Sequence, residues 1–159
     1  EDPKLAKRCG LTSLGYSLVA HLPVDLVIIA LGSNDLKFTD AEGSKAGLET
    51  LVDTVYNADA LFNTPSPLFP GEKRVLIVGP PVIAPEIETL RPTHSLAHAA
   101  AQSRLLAGKA REVAEEKGAW YIDASRIVYP PLDDCLHLSP EGHRKLGECM
   151  AAKIKEILG

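Results

Sequence analysis

The chain has 159 residues, of which 45% are hydrophobic and 24% are charged, and its formal net charge is −4. This length suits one domain that buries about two-thirds of the surface of its unfolded chain. Its interspersed charges form no basic stripe and its apolar runs are too short to span a bilayer, so we expect neither nucleic acid nor a membrane as a partner.

The first part of the chain predicts a helix, a buried strand and a second helix. Apolar residues recur on one helical face of residues 11–22, and Pro23 ends that helix. Residues 25–31 (DLVIIAL) are almost wholly apolar, which is typical of a parallel strand buried on both faces. A second helix is predicted to start near Asp40, with Leu48, Leu51, Val52 and Val55 facing the core.

The middle of the chain predicts a loop, a strand and a long helix. Residues 62–72 contain three prolines and therefore predict a loop. The second predicted strand covers residues 73–78, and a long helix covers residues 94–117. Gly118 follows that helix, in a position where glycine often ends helices.

The last part predicts a third strand and a final helix. The strand covers residues 119–123, and the helix has Ser139 as its N-cap and Pro140 in its first turn. Strands that alternate with helices indicate an α/β layer fold with a parallel sheet and right-handed crossovers. Functional groups in such folds collect beyond the carboxyl ends of the strands.

The predicted sheet has too few strands. Only three are visible in this sequence, whereas a sheet holds about five on average. If residues 26–31 formed the first strand, they would leave a long apolar edge that no charge or proline interrupts. Residues 1–10 are rich in charge and cannot supply a strand. We therefore expect that residues 1–159 form the C-terminal portion of a single domain, and that the chain begins partway through it.

Two polar motifs lie where the predicted strands end on one rim of the sheet. GSND occupies residues 32–35, and DCLH occupies residues 134–137. In DCLH, a carboxylate at Asp134 can bind one imidazole nitrogen of His137 and leave the other free to take a proton from a hydroxyl. GSND follows the apolar strand at residues 25–31, so its polar side chains lie on the same rim. Together the motifs predict part of an esterase site.

These residues resemble the SGNH hydrolase family, also called the GDSL esterases. The resemblance covers essentially the whole chain. It is greatest over residues 21–35 (HLPVDLVIIALGSND) and 134–143 (DCLHLSPEGH), and it is nearest to the arylesterase and acyltransferase branch. It implies a flavodoxin-like three-layer α/β/α fold with a parallel sheet, whose first two strands are absent from this chain. It also assigns the oxyanion asparagine to Asn34, the triad acid to Asp134 and the catalytic base to His137, with no metal or cofactor.

Two of the family's blocks are missing. The family's nucleophile lies in a Gly-Asp-Ser motif after its first strand, and a second oxyanion donor is a glycine after its second strand. No serine of this chain follows Gly-Asp, and Ser33 occupies a position that varies in the family. We therefore expect an N-terminal segment, on the same or on a separate chain, to supply the serine.

The expected function is that of a serine-type ester hydrolase or acyltransferase. It would act on small ester or acyl substrates through an acyl-serine intermediate. Two alternatives stay open. One is a non-catalytic SGNH-like binding or assembly module, and the other is a homo-oligomer in which residues 26–31 pair between copies.

The cysteines indicate reduced thiols. There are three of them, at positions 9, 135 and 149, without paired spacing, so we expect a cytoplasmic protein. Cys135 lies inside the DCLH motif and is a candidate nucleophile. The adjacent Asp134 disfavours that role, because a neighbouring carboxylate opposes formation of the thiolate.

Overall fold

The structure, a computed structural model, describes residues 9–159. We predict that residues 1–10 contain no strand. Residues 1–8 lie outside the described residues, so the structure bears on this prediction only at residues 9 and 10. Helices and strands alternate along the chain. In order they are α1 (Gly10–Ala20), β1 (Val27–Ile29), α2 (Ala41–Tyr56), α3 (Ala58–Phe62), β2 (Val75–Gly79), α4 (Ile87–Leu90), α5 (Ala100–Lys117), β3 (Trp120–Asp123) and α6 (Pro140–Leu158).

The strands form one parallel sheet in the order β1-β2-β3. Val27 of β1 lies opposite Val75 of β2, and Gly79 of β2 lies opposite Asp123 of β3. The central strand β2 is buried along its whole length. Because all three strands run in the same direction, the segments that follow them meet at one edge of the sheet.

Helices cover both faces of this sheet. On one face, helices α1, α2 and α5 contribute Leu18, Val52 and Val113 to a shared buried core. On the other face, α6 packs against Leu76 and Ile122. The three layers confirm the predicted flavodoxin-like α/β/α fold. Among residues 9–159, no helix combines the length and the apolar character that a membrane crossing requires.

The predicted long helix is confirmed at its end but not at its start. It ends at Lys117, and Gly118 adopts a left-handed conformation with a φ of 66°. Its start is Ala100, six residues later than predicted from residue 94. The reason is local, because the ring of His94 accepts a hydrogen bond from a nearby backbone N–H and a 3₁₀ turn precedes the helix.

The predicted N-cap at Ser139 and the predicted helix start near Asp40 are both confirmed. The Asp40 side chain accepts a hydrogen bond from the N–H of Gly43 at 2.9 Å, at the start of α2. The Ser139 side chain accepts one from the N–H of Gly142 at 3.1 Å, at the start of α6. Such caps satisfy N–H groups that have no partner inside a helix. The cap at Ser139 holds the beginning of α6 directly after the DCLH motif.

The strand predicted over residues 25–31 is shorter and more exposed than expected. β1 covers only Val27–Ile29 and lies at the edge of the sheet. Ile29 is buried, but Ile28 is 38% exposed and Leu31 is 53% exposed. The prediction of burial on both faces is therefore wrong. Ile28 lies opposite Leu76, so its side chain is on the sheet face that carries α6.

Candidate active site

Three loops meet at the carboxyl-terminal edge of the sheet. The first follows β1 and carries Asn34, the second follows β2, and the third lies downstream of β3 and carries Asp134 and His137. Each loop places apolar side chains in one buried cluster, which ties the three together. The cluster includes Leu36 from the first loop, Ile83 and Ala84 from the second, and Cys135 from the third.

The Asp134 carboxylate and the His137 imidazole are in direct contact. Nδ1 of His137 lies 2.9 Å from Oδ1 of Asp134. Because an ionised carboxylate can only accept a hydrogen bond, Nδ1 carries the proton and Nε2 is left as the basic nitrogen. The His137 side chain is 80% exposed. The imidazole is therefore oriented on one side and open to a reactant on the other.

The backbone around Asp134 makes a tight turn that its own side chain stabilises. Oδ1 of Asp134 accepts hydrogen bonds from the N–H groups of Leu136 and His137. Cys135 has a φ of 67°, a left-handed conformation that costs about 1 kcal/mol or more in residues other than glycine. Its carbonyl accepts a hydrogen bond from the N–H of Ala84 at 3.0 Å. The loop after β2 therefore holds the turn in place.

These hydrogen bonds keep Asp134 ionised. The N–H and then the ring of His137, together with the N–H of Leu136, lower the pKa of Asp134 from 3.8 to about 2. The carboxylate therefore stays charged across the neutral range. A charged carboxylate beside Nδ1 favours the tautomer with the proton on Nδ1, and it favours an imidazolium over a neutral ring if Nε2 takes a proton.

Arg91 is a site residue that the sequence motifs do not indicate. Its Nη1 donates to the carbonyl oxygen of Asp134 at 3.0 Å and lies 3.2 Å from Oδ2 of the same residue. Arg91 directly follows α4 and precedes Asp134 by 43 residues. No short-range spacing connects the two residues, so only the fold brings them together.

Asn34 lies on the same rim, in a 3₁₀ turn (Ser33–Lys37) that follows β1. The turn begins after Gly32, which has a φ of 129°, a conformation that favours glycine. The carboxylate of Asp35 accepts a hydrogen bond from the hydroxyl of Ser44 at 2.9 Å, so this residue holds the turn against α2. Asn34 itself is exposed. The structure brings Asp134 and His137 into contact with each other, and it makes no hydrogen bond between Asn34 and either of them.

Cys135 is not a nucleophile. Its side chain is fully buried, and its thiol donates a hydrogen bond to the carbonyl of Leu132 at 3.1 Å. Burial, together with the charges of Glu86 and Asp134, raises the pKa of the thiol. A buried and protonated thiol is inert, so the role of Cys135 is to pack beneath the turn.

Within residues 9–159, no hydrogen bond joins a serine hydroxyl to the imidazole of His137. Several serines have other partners, since Ser44 binds Asp35, Ser103 binds a helix carbonyl and Ser139 caps α6. In the same part of the chain, no group of His, Cys, Asp and Glu side chains converges as a set of metal ligands.

Comparison with known proteins identifies similar sequences and folds. The sequence profile described as the GDSL-like lipase/acylhydrolase family matches residues 5–145. No curated protein sequence matches the chain. Among solved structures, an aryl esterase from M. smegmatis is similar with a TM-score of 0.79 and 26% identity, over 94% of this chain and 68% of that one. A carbohydrate acetylesterase from Sinorhizobium meliloti is similar with a TM-score of 0.78 and 29% identity, over 93% of this chain and 68% of that one.

Proposed function

The chain belongs to the GDSL-like lipase/acylhydrolase family, and from this membership we propose that it supplies the acid, the base and an oxyanion donor of a serine esterase or acyltransferase. The substrate class is a small ester or acyl compound. One observation carries the proposal: the imidazole of His137 is held at 2.9 Å by Asp134 on its Nδ1 side, while the side chain is 80% exposed.

In the proposed reaction, Nε2 of His137 takes the proton of a serine hydroxyl as the serine oxygen attacks the ester carbonyl carbon. Asp134 stabilises the imidazolium. The amide of Asn34 donates to the oxyanion, a contribution whose loss costs about 10²–10³ in turnover. The alcohol then leaves with the proton of His137, and an acyl-serine remains. Water, or an alcohol in the transfer reaction, attacks the acyl group with His137 again as the base, and the serine is released.

The serine of this proposal lies in a polypeptide segment outside these 159 residues. The chain spans 68% of the length of each of the two similar esterases described above. A segment that carries the nucleophile has to place it next to Nε2 of His137, at the carboxyl end of the sheet. A further strand beside β1 would deliver its following loop to that edge.

The outer edge of β1 is suited to receive such a strand. The N–H of Val27 donates to the carbonyl of Arg74, which precedes β2, so the N–H of Ile28 points away from β2. The side chains of Ile28 and Leu31 are exposed. On the same sheet face, the inner residues of α6 are only half-buried; they are Leu146, Met150 and Ile154. A strand followed by a helix would cover both surfaces.

The base is the residue to test first. We expect His137→Ala, made in the natural protein, to lower the hydrolysis of a small aryl ester by a factor on the order of 10⁴ or more, because proton transfer from the serine is lost. The matched control is His143→Ala, an exposed histidine in the first turn of α6. Full activity in His137→Ala would contradict the proposal.

A non-catalytic binding module is the second candidate, and the lack of a serine bonded to His137 within the described residues favours it. A fluorophosphonate probe, which labels activated serines, separates the two functions. We expect the probe to label the natural preparation on the segment that carries the nucleophile, and His137→Ala to abolish the labelling. If the natural preparation takes up no label, the binding module is the better assignment.

A further inference from the structure

Arg91 contacts the part of Asp134 that His137 does not use. Oδ1 of Asp134 receives three N–H donors, all from its own turn: the N–H of Leu136, the N–H of His137 and Nδ1 of His137. Oδ2 faces the Nη1 of Arg91 at 3.2 Å, and the same nitrogen donates to the carbonyl oxygen of Asp134 at 3.0 Å. One guanidinium nitrogen therefore contacts both the side chain and the main chain of the acid.

The backbone of Arg91 is itself tied to the catalytic turn. Its N–H donates to the carbonyl of Ile87 at 2.9 Å, and Ile87 is completely buried. The N–H of Ile87 donates to Ala84, and the N–H of Ala84 donates to Cys135. A short series of main-chain hydrogen bonds thus fixes the place from which the arginine side chain reaches Asp134.

The charge of Arg91 does not by itself explain its position. A cation beside Asp134 weakens the support that the carboxylate gives to a protonated imidazole, since the two positive charges repel. Geometry supplies the explanation. The carboxylate of Asp134 can rotate about its Cβ–Cγ bond. Because Nη1 of Arg91 contacts both Oδ2 and the carbonyl oxygen of Asp134, it restricts that rotation.

We propose that Arg91 is a positioning residue, which holds the Asp134 carboxylate so that Oδ1 accepts the Nδ1 proton of His137. The inference rests on the roles proposed above for Asp134 and His137. Arg91 acts through Asp134 and contacts none of the reacting atoms. Its contribution is to keep His137 in the tautomer that leaves Nε2 free as the base.

The tautomer of His137 tests this role without any need for ester hydrolysis. Nitrogen-15 NMR of the chain, at a pH where the imidazole is neutral, distinguishes a proton on Nδ1 from one on Nε2. We expect mainly the Nδ1–H form in the unaltered chain. In Arg91→Met we expect the ratio of the Nε2–H form to the Nδ1–H form to rise at least about tenfold, the effect of losing a hydrogen bond to a charged group.

Two further variants make the test specific. Arg91→Lys keeps the charge and a donor, so we expect it to restore part of the Nδ1–H form. The control is Arg126→Met, which removes another arginine beside an aspartate, 3.4 Å from Asp123, and should leave the tautomer unchanged. If Arg91→Met does not fold, Arg91→Lys and Arg91→Gln supply the comparison.

The outcomes separate this inference from the proposed function. A folded Arg91→Met chain with an unaltered tautomer ratio would overturn the role of Arg91 and leave the role of His137 intact. A chain in which His137 is mainly Nε2–H before any substitution would contradict the proposed function itself. In the complete esterase, we expect Arg91→Met to lower kcat by up to about 10²-fold with little change in KM, because the orientation of the base is lost.

Discussion

The turn at Asp134 explains why the proposed acid and the proposed base are three residues apart. The short side chain of an aspartate can accept hydrogen bonds from the N–H groups two and three residues ahead, which closes an Asx-type turn. Here those donors belong to Leu136 and His137. The residue that supplies the second N–H also has its ring beside the carboxylate, at 2.9 Å. The spacing is therefore a consequence of turn geometry.

At the same scale, we predict that the contribution of Asp134 to the free energy of unfolding depends on pH. The folded chain lowers the pKa of this carboxyl from 3.8 to about 2. A lowered pKa contributes stability that is fully present above the unfolded value and is lost as the pH falls through the folded value. The difference in unfolding free energy between the unaltered chain and Asp134→Asn should therefore shrink between about pH 4 and pH 2.

Urea unfolding at several pH values measures this difference. The control is Asp133→Asn, which removes a neighbouring exposed carboxylate that makes no hydrogen bond to His137. A constant difference for Asp134→Asn over the whole acid range would show that the hydrogen bonds at this carboxylate do not stabilise its charge.

At the scale of the elements, helix ends set the position of the site. The cap at Ser139 starts α6 just after His137, and the cap at Asp40 starts α2 just after the turn that carries Asn34. Helix α5 packs against β2 and β3 and ends at Lys117, where Gly118 turns the chain towards β3. Each of these three helix boundaries therefore limits the length of the loop next to it.

Two glycines associated with α5 should respond to substitution in opposite directions. Gly118 has a φ of 66°, so Gly118→Ala should destabilise the chain by about 1 kcal/mol or more, because a side chain is strained in that conformation. Gly108 lies inside the helix, and a Cβ there would meet nothing within 4 Å. Gly108→Ala should therefore stabilise the chain by up to about 1 kcal/mol.

Unfolding in urea gives both values from one set of measurements. The two substitutions add the same methyl group at exposed sites, so they differ only in backbone conformation. Equal effects of the two substitutions would contradict the left-handed end of α5.

At the scale of the whole molecule, the sheet is asymmetric. Its central strand β2 is entirely buried, whereas β1 at the edge exposes Ile28 and is followed by the exposed Leu31. An apolar edge strand of this kind is a surface on which further strands pair. The proposed nucleophile-bearing segment and pairing between two copies would both use it.

Amide hydrogen exchange at β1 separates these possibilities. The N–H of Val27 is bonded to Arg74, so it should exchange slowly. The N–H of Ile28 points away from β2, at the edge of the sheet formed by residues 9–159, and should exchange rapidly. In a preparation that contains the nucleophile-bearing segment, we expect Ile28 to become protected as well.

The control is to repeat the exchange measurement at several concentrations of the chain. Protection of Ile28 that increases with the concentration of the chain would indicate pairing between copies. Protection that is already complete in the dilute chain would contradict the open edge.

Much of the fold and part of the candidate site could be predicted from the sequence. The alternation of apolar runs and helical faces predicts the α/β layers, and Asp40, Gly118 and Ser139 mark helix boundaries. The contact between Asp134 and His137 also follows from spacing. All of these features depend on residues within a few positions of one another, where the geometry of the backbone limits the choices.

Other features were decided by the tertiary structure. Arg91 reaches Asp134 across 43 residues, and the exposure of Ile28 depends on which elements cover β1. The residue type of an arginine does not specify a distant partner, and an apolar run does not specify its neighbours. By itself the sequence determined the acid–base turn and the order of the layers, because both depend on local geometry. The tertiary structure decided which distant side chain contacts that turn and which strand lies at the edge of the sheet within residues 9–159, because both depend on long-range packing.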